Sequence, residues 1–281
     1  MKNIFKLCIR QLAKFRMVYF FLKPLKSFIW YFEKHRTYDL IRKRDLDLFD
    51  QYLYSSLTVL NGPFKGLKYV NTTAMGSTFL PKIVGSYEKE LHPIFSEIIN
   101  KNYTTILDIG CAEGYYAVGL ARIFPDSQVY AYDIDTQAQL LCREMAINNG
   151  VDQNMFIQSE MTSEKLAKFK FHSKSLIICD CEGYEMELFN SNSVKNLSYC
   201  DLLIETHDFI DLEISENLKR LLKPTHEIIS ILTIDDIQKA HNYNFTVLDG
   251  LSKDIRVNIL AERRPSTMEW IWCKARLTKV S

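Results

Sequence analysis

TILDIGCAEGYYAVGLA, residues 105–121, is the stretch on which the fold turns. A β-branched apolar run, Thr105 to Ile109, is interrupted only by Asp108 and ends at Gly110. A second glycine, Gly114, precedes residues with helical spacing. A strand, a tight turn and a helix start follow one another without a linker. Downstream the pattern repeats. SQVYAYDID (127–135) reads as a strand, TQAQLLCREMAINNG (136–150) as a helix ending at Asn-Gly, and NMFIQSE (154–160) as a third strand. After a helix near 162–169 come SLIICDCEG (175–183) and CDLLIETHD (200–208), two apolar runs that each end in acids. Near-continuous apolar strands separated by helices indicate a parallel sheet covered on both faces, an α/β doubly wound architecture. HEIISIL (226–232) and MEWIWCKARL (268–277) read as two last strands, with an ill-defined stretch at 234–264 between them.

In such a sheet a ligand sits outside the carboxyl ends of the strands, which is where the Gly110–Gly114 turn falls. Its spacing, Asp108, Gly110, Gly114, departs from the G-x-G-x-x-G dinucleotide fingerprint, and Ala112 stands at the in-between position. Asp108 and Glu113 flank the turn and would repel a pyrophosphate, which disfavours a nicotinamide oxidoreductase. They suit a ligand that carries an amine and a sulfonium. Asp133, with Ile134 beside it, ends the second strand at the distance where a carboxylate accepts hydrogen bonds from ribose hydroxyls. A cationic amino acid joined to a ribose points to S-adenosylmethionine. A plain strand-to-helix connection also needs a glycine turn; Asp133 and the downstream alternation weigh against it.

LDIGCAEGYYAVGLA, VYAYDID and IICDCEGYEMELF resemble the successive motifs of class I S-adenosylmethionine-dependent methyltransferases. The D-x-E-G-x-E stretch at 180–185, the upstream GSYEKEL (85–91) and the LLIETHD strand end are similar to the FkbM-type branch. The resemblance covers roughly residues 60–275. It implies a Rossmann-like seven-stranded sheet of order 3-2-1-4-5-7-6 with the last strand antiparallel. It also implies that Tyr87 and Glu88 close over the cofactor, and that the acceptor is a hydroxyl of a sugar, sugar nucleotide, glycan or other natural product. Ala112 stands where many class I enzymes have glycine, so the loop is expected to run slightly wider there. Tyr115 and Tyr116 either flank the methionine part or pack, packing being favoured for at least one.

Methyl transfer to a hydroxyl requires alignment of donor and acceptor and removal of a proton. The acids that end the fourth and fifth strands form the dense cluster placed to help. In one reading His207 or Asp180 is the general base. In another, Asp180, Glu205 and His207 hold Mg²⁺ or Mn²⁺, which would lower the pKa of the acceptor hydroxyl. In a third, Asp180, Glu182 and Glu185 cap the next helix, an explanation that fits Glu182 and Glu185 better than Asp180. Arg263 and Arg264 read as a solvated turn in preference to an anion contact, and His226 as a satisfied surface histidine.

The charge is unevenly spread. Residues 1–44 hold twelve Lys and Arg against two acids, net +10, which leaves 23 bases and 32 acids, net −9, downstream. An acidic body opposes a nucleic-acid phosphate face. Lys2, Lys6, Arg10 and Lys14 recur at four-residue spacing beside an apolar face, as in an amphipathic helix, and residues 25–60 read as further helix. Residues 1–60 are therefore expected to form a basic, aromatic-rich helical extension to a catalytic domain at 61–281. The arm, residues 1–44, suits an anionic membrane surface, or equally packing on its own domain or on a partner subunit with its bases solvated. A module that binds cofactor without transferring methyl groups, docked through this arm, is the competing function. The N-terminus lacks the pattern of a secretory signal, and MVYFFLKPLKSFIWYF (17–32) is too short and too charged to span a bilayer. The seven scattered cysteines read as reduced thiols. The expected location is the cytoplasm, including the inner membrane surface.

Overall fold

The computed structural model describes residues 36–37, 39–53, 57–171 and 174–276. The predicted amphipathic helix at 2–22 lies outside them. The chain divides into two units, 1–51 and 52–281. What is described of the first is helical over 39–48, and a π-helical turn spans Phe49–Leu53. The expected helix at 25–60 does not reach its end. Tyr69 N–H donates to Leu57 O at 2.6 Å and Val59 N–H to Leu67 O at 2.9 Å, so a hairpin-like turn already begins at Leu57.

After that turn the second unit continues with short helix α1, Phe79–Val84, and α2, His92–Ile99. The alternating elements are β1 Thr105–Ile109, α3 Tyr115–Ile123, β2 Gln128–Tyr132, α4 Thr136–Asn149, β3 Met155–Gln158, α5 Ser163–Lys168, β4 Ser175–Cys179, α6 Glu185–Leu188 and β5 Cys200–Thr206. They continue with α7 Ile214–Leu222, β6 His226–Leu232, α8 Asp236–Asn242, α9 Lys253–Leu260 and β7 Glu269–Ala275. The ill-defined stretch at 234–264 thus contains α8 and α9, started by Asp235 and Ser252, whose side chains accept from backbone N–H groups of the first turn.

The seven strands lie in the order β3-β2-β1-β4-β5-β7-β6, with β7 antiparallel to both neighbours. This is the order that the resemblance implied. The apolar runs of β1 and β4 are buried along their whole length, as strands covered on both faces must be. Edge strands β3 and β6 are part exposed. Between β5 and α7, Leu202, Ile204, Ile214, Leu218 and Leu222 form a buried cluster with Leu107, Ile177 and Ile271. Because β1 and β4 are central neighbours, their carboxyl ends bring residues 110–114 and 180–185 together at the point where strand order reverses.

His226 is not a surface residue. It is fully buried, with Nε2 bonded to Cys200 O at 2.9 Å and Nδ1 to Thr225 Oγ1 at 2.9 Å. A histidine that begins an apolar strand is drawn inward with it, and two polar partners make that burial tolerable. The six described cysteines are all free thiols. No helix among the described residues is long and apolar enough to cross a membrane.

Candidate active site

The β1–α3 turn is built on left-handed backbone. Gly110 has φ 85°, and a Cβ there would lie 1.7 Å from Asp180 O, so only glycine allows β1 and β4 to end side by side. Ala112 has φ 49° and its N–H donates to Asp133 Oδ2 at 2.9 Å. The hydrogen bond holds Ala112 in the left-handed region that glycine enters most easily, and the methyl group costs backbone strain there. Ala112→Gly is expected to stabilise the protein by about 0.5–1 kcal/mol, read as a raised urea midpoint at unchanged m-value. A lower midpoint would show that the strain is absent.

Asp133 is doubly engaged: Oδ2 with Ala112 and Oδ1 with the Asp135 N–H at 2.8 Å. It ties the loop to the end of β2 while keeping lone pairs toward a cavity of about 510 Å³. This cavity is lined by Met75–Ser77, Tyr87, Ile109–Ala112, Tyr115, Tyr116, Tyr132–Asp135, Ser159–Met161 and Asp180–Glu182, together with Lys82, Ala138 and Tyr184. Ile134, 79% exposed, belongs to the wall. The Ser159–Met161 wall was not foreseen, because nothing in NMFIQSE beyond its strand pattern singles out the residues that follow β3.

The flanking acids stand elsewhere than their spacing implied. Glu113 and Asp108 are buried and neither belongs to the cavity wall. Glu113 accepts from the Tyr69 hydroxyl at 3.0 Å, from the Met75 N–H at 2.9 Å and from Lys82 Nζ at 2.5 Å. It fastens the segment before α1 to the turn. Burial pushes the Asp108 carboxyl up to about 8, against the pull of the Ala117 amide in the first turn of α3. Gly114, φ 101°, caps α3 and also lies outside the wall.

Tyr87 lines the cavity, whereas Glu88 is buried and does not belong to its wall. Glu88 accepts from the Tyr116 hydroxyl and from Arg264, and its own N–H donates to Glu262 Oε1 at 3.0 Å. Arg264, expected in a solvated turn, has a side chain only 15% exposed and is paired with Glu88, Glu205 and, at 2.9 Å, Glu262. Lys239 on α8 holds the far oxygen of Glu262. The chain between α9 and β7 runs past the end of β5, and buried carboxylates from three segments draw the guanidinium inward. Burial pushes Glu88 up to about 7 and Glu205 well above the usual range, despite the opposing charge of Arg264.

The acids that end β4 and β5 do converge. One ligand atom from each of Asp180, Glu205 and His207 falls within 4.8 Å of the others. His207 Nε2 lies 3.4 Å from Asp180 Oδ1, 3.5 Å from Glu182 Oε2 and 3.8 Å from Glu205 Oε2. Glu185 does stand in the first turn of α6 and accepts from the Gly183 N–H at 3.2 Å, but it is also fully buried and accepts from His207 Nδ1 at 2.8 Å, so helix capping is only part of its role. The contact with His207 sets the tautomer with Nδ1 protonated and Nε2 toward the acids. Burial alone would push the imidazole down; the Glu185 hydrogen bond and the charges of Glu185, Asp180 and Glu182 carry it above its ordinary value. Such an arrangement can take up a proton at Nε2, and it also offers two carboxylates and an oriented imidazole to a hard divalent ion.

A sheet of this order, with a cavity at the β1 and β4 ends, is the Rossmann-like fold that class I methyltransferases share. The model of a family described as a methyltransferase domain matches residues 100–264, more than half of the chain, and the chain belongs to that family. The chain therefore carries a methyltransferase domain. A bifunctional methyltransferase of Rickettsia felis is 28% identical over 167 residues, 56% of this chain but only 31% of the relative, so the chain spans about a third of that protein. Among solved structures, the O-methyltransferase TomG from Streptomyces achromogenes, in complex with SAM, aligns with TM-score 0.43 and 12% identity over 68% of this chain and 82% of its own. Precorrin-6y C5,15-methyltransferase from Geobacter metallireducens aligns with TM-score 0.43 and 10% identity over 64% and 83%.

Proposed function

We propose that the chain methylates a hydroxyl of a sugar or glycan, as an FkbM-type enzyme, with S-adenosylmethionine in the cavity described above. The observation that carries this reading is a single cavity that runs from the Gly110–Ala112 loop and Asp133 to Asp180, with the buried Glu185–His207 pair beside it. Its residues fit the donor: a glycine turn too close to β4 for any side chain, a carboxylate for ribose hydroxyls, and the Tyr87 and Tyr115 rings. Lys82, in the wall and paired with Glu113, faces those two rings and offers positive charge for a carboxylate. The donor supplies a methyl group on a sulfonium. Asp180 orients the acceptor hydroxyl, whose proton passes to His207 Nε2 as the oxygen lone pair forms the new C–O bond. The C–S electron pair stays on sulfur.

Asp133→Ala should weaken donor binding by about 1–3 kcal/mol, because it removes acceptors of ribose hydroxyls and the partner of the Ala112 amide. Unchanged affinity in calorimetry would remove Asp133 from this role. The reaction itself is tested by mass spectrometry of glycans and simple sugars incubated with the protein and donor. A gain of one methyl on oxygen is expected, and saturable donor binding with no methylated product would favour the non-catalytic module.

The convergence of Asp180, Glu205 and His207 also favours a second reading, in which these side chains hold Mg²⁺ or Mn²⁺. The donor set fits, with His207 Nδ1 held by Glu185 as metal-bound imidazoles commonly are. Activity before and after chelation separates the two readings.

A further inference from the structure

The charge of the cavity bears on which hydroxyl compound can enter it. Among the described residues that line it, Lys82 is the only lysine, arginine or histidine; its ammonium is paired with Glu113 and faces the Tyr87 and Tyr115 rings, where the donor's carboxylate takes up what charge remains. Five acids line the same wall: Asp133, Asp135, Glu160, Asp180 and Glu182. The first three follow β2 and β3, at the ribose end. Asp180 and Glu182 follow β4, where the acceptor must sit, and Glu182 is 69% exposed. Arg264, whose guanidinium lies 5.9 Å from the centre of the Tyr87 ring, is held by Glu88, Glu205 and Glu262. His207 brings one positive charge at most against Asp180, Glu182, Glu185 and Glu205.

A second feature, independent of the acids, lies beside them. Tyr184, 39% exposed, is part of the wall, and Phe209, 47% exposed, has its ring centroid 5.8 Å from that of His207. Exposed aromatic faces beside unneutralised carboxylates are the chemistry that recognises ammonium groups. A phosphate or carboxylate placed near Asp180 and Glu182 would meet two like charges and no free cation.

We infer that the acceptor carries a protonated amine close to the hydroxyl that is methylated, as an amino sugar does, and is not a phosphate-linked sugar. This rests on the hydroxyl-transfer reading and narrows it. In the group transfer the ammonium keeps its proton and charge; only the hydroxyl loses a proton, to His207.

The test uses the full chain loaded with S-adenosylhomocysteine and titrated calorimetrically with glucosamine, glucose and glucose 1-phosphate. Glucosamine should bind at least tenfold more tightly than glucose, and glucose 1-phosphate more weakly than either. The Glu182→Lys variant, checked for an unchanged thermal midpoint, should lose the glucosamine preference. Glucosamine binding no tighter than glucose, absence of binding by both included, overturns the inference. So does tighter binding of glucose 1-phosphate. Turnover of the same three compounds with donor is measured separately. If the binding order holds and no compound is methylated, the hydroxyl-transfer reading falls and the charge preference stands.

Discussion

Arg264→Ala is expected to destabilise the protein by about 3–5 kcal/mol, with a thermal midpoint lower by on the order of 10 °C. The guanidinium is shared by Glu88, Glu205 and Glu262, whose side chains are all nearly fully buried. Removing one partner of a buried ionic network leaves the others desolvated and unpaired, which costs more than the network contributed as a whole. The deficit should depend on pH, with a sign that follows from Glu88. Its folded value of about 7 lies above the ordinary 4.5, so its contribution is present below the unfolded value and lost as pH rises through the folded one. Without Arg264, Glu88 and Glu205 rise further. The variant should therefore lose least near about pH 5 and most near about pH 8. Urea unfolding at both pH values checks this; a loss below about 1 kcal/mol at each would show that Arg264 does not hold the cluster.

His207→Ala should lower turnover by about 100- to 10,000-fold, the range for a lost general base, with donor affinity unchanged. The imidazole touches neither the glycine loop nor Asp133, and its Nδ1 is taken by Glu185. Full activity in this variant would remove the catalytic role. Glu185→Gln gives a finer result. Glu185 contributes to lifting His207 above its ordinary value, so the protonated, inactive imidazole persists to higher pH. With glutamine in place the imidazole falls, and the acidic limb of the pH profile should move to lower pH. A limb that stays in place would mean that another group titrates there.

The alternation from TILDIG through CDLLIETHD was legible because both sides of the sheet are covered, which makes β1 and β4 nearly all apolar, while glycine is the residue a left-handed turn admits most easily. The strand order was not in that pattern. It came from the resemblance, since periodicity says which segments are strands and nothing about which neighbours pair. Asp133, Asp180 and His207 could be picked out because acids and histidines that end apolar strands of a parallel sheet gather at one rim.

What misled the local reading had a common cause. Glu185 follows Asp180 at a helix start, and Arg264 lies in a polar stretch ending in proline and serine; by neighbours alone, one is no more than a first-turn acid and the other a solvated turn. Only the tertiary structure put Glu185 under His207 and Arg264 among Glu88, Glu205 and Glu262, residues as far as 176 positions away in the chain. Glu113 shows the same in reverse: a turn acid that faces a ligand by spacing is turned away by Tyr69 and Lys82, which precede it by 44 and 31 positions. By itself, the sequence determined the layered α/β architecture and the strand-end rim at which the cavity opens, because burial and turn conformation are local demands on residue type. Which charges meet at that rim was decided by the folded chain, because the partner of a buried charge is set by three-dimensional proximity, which has no signature in residue spacing.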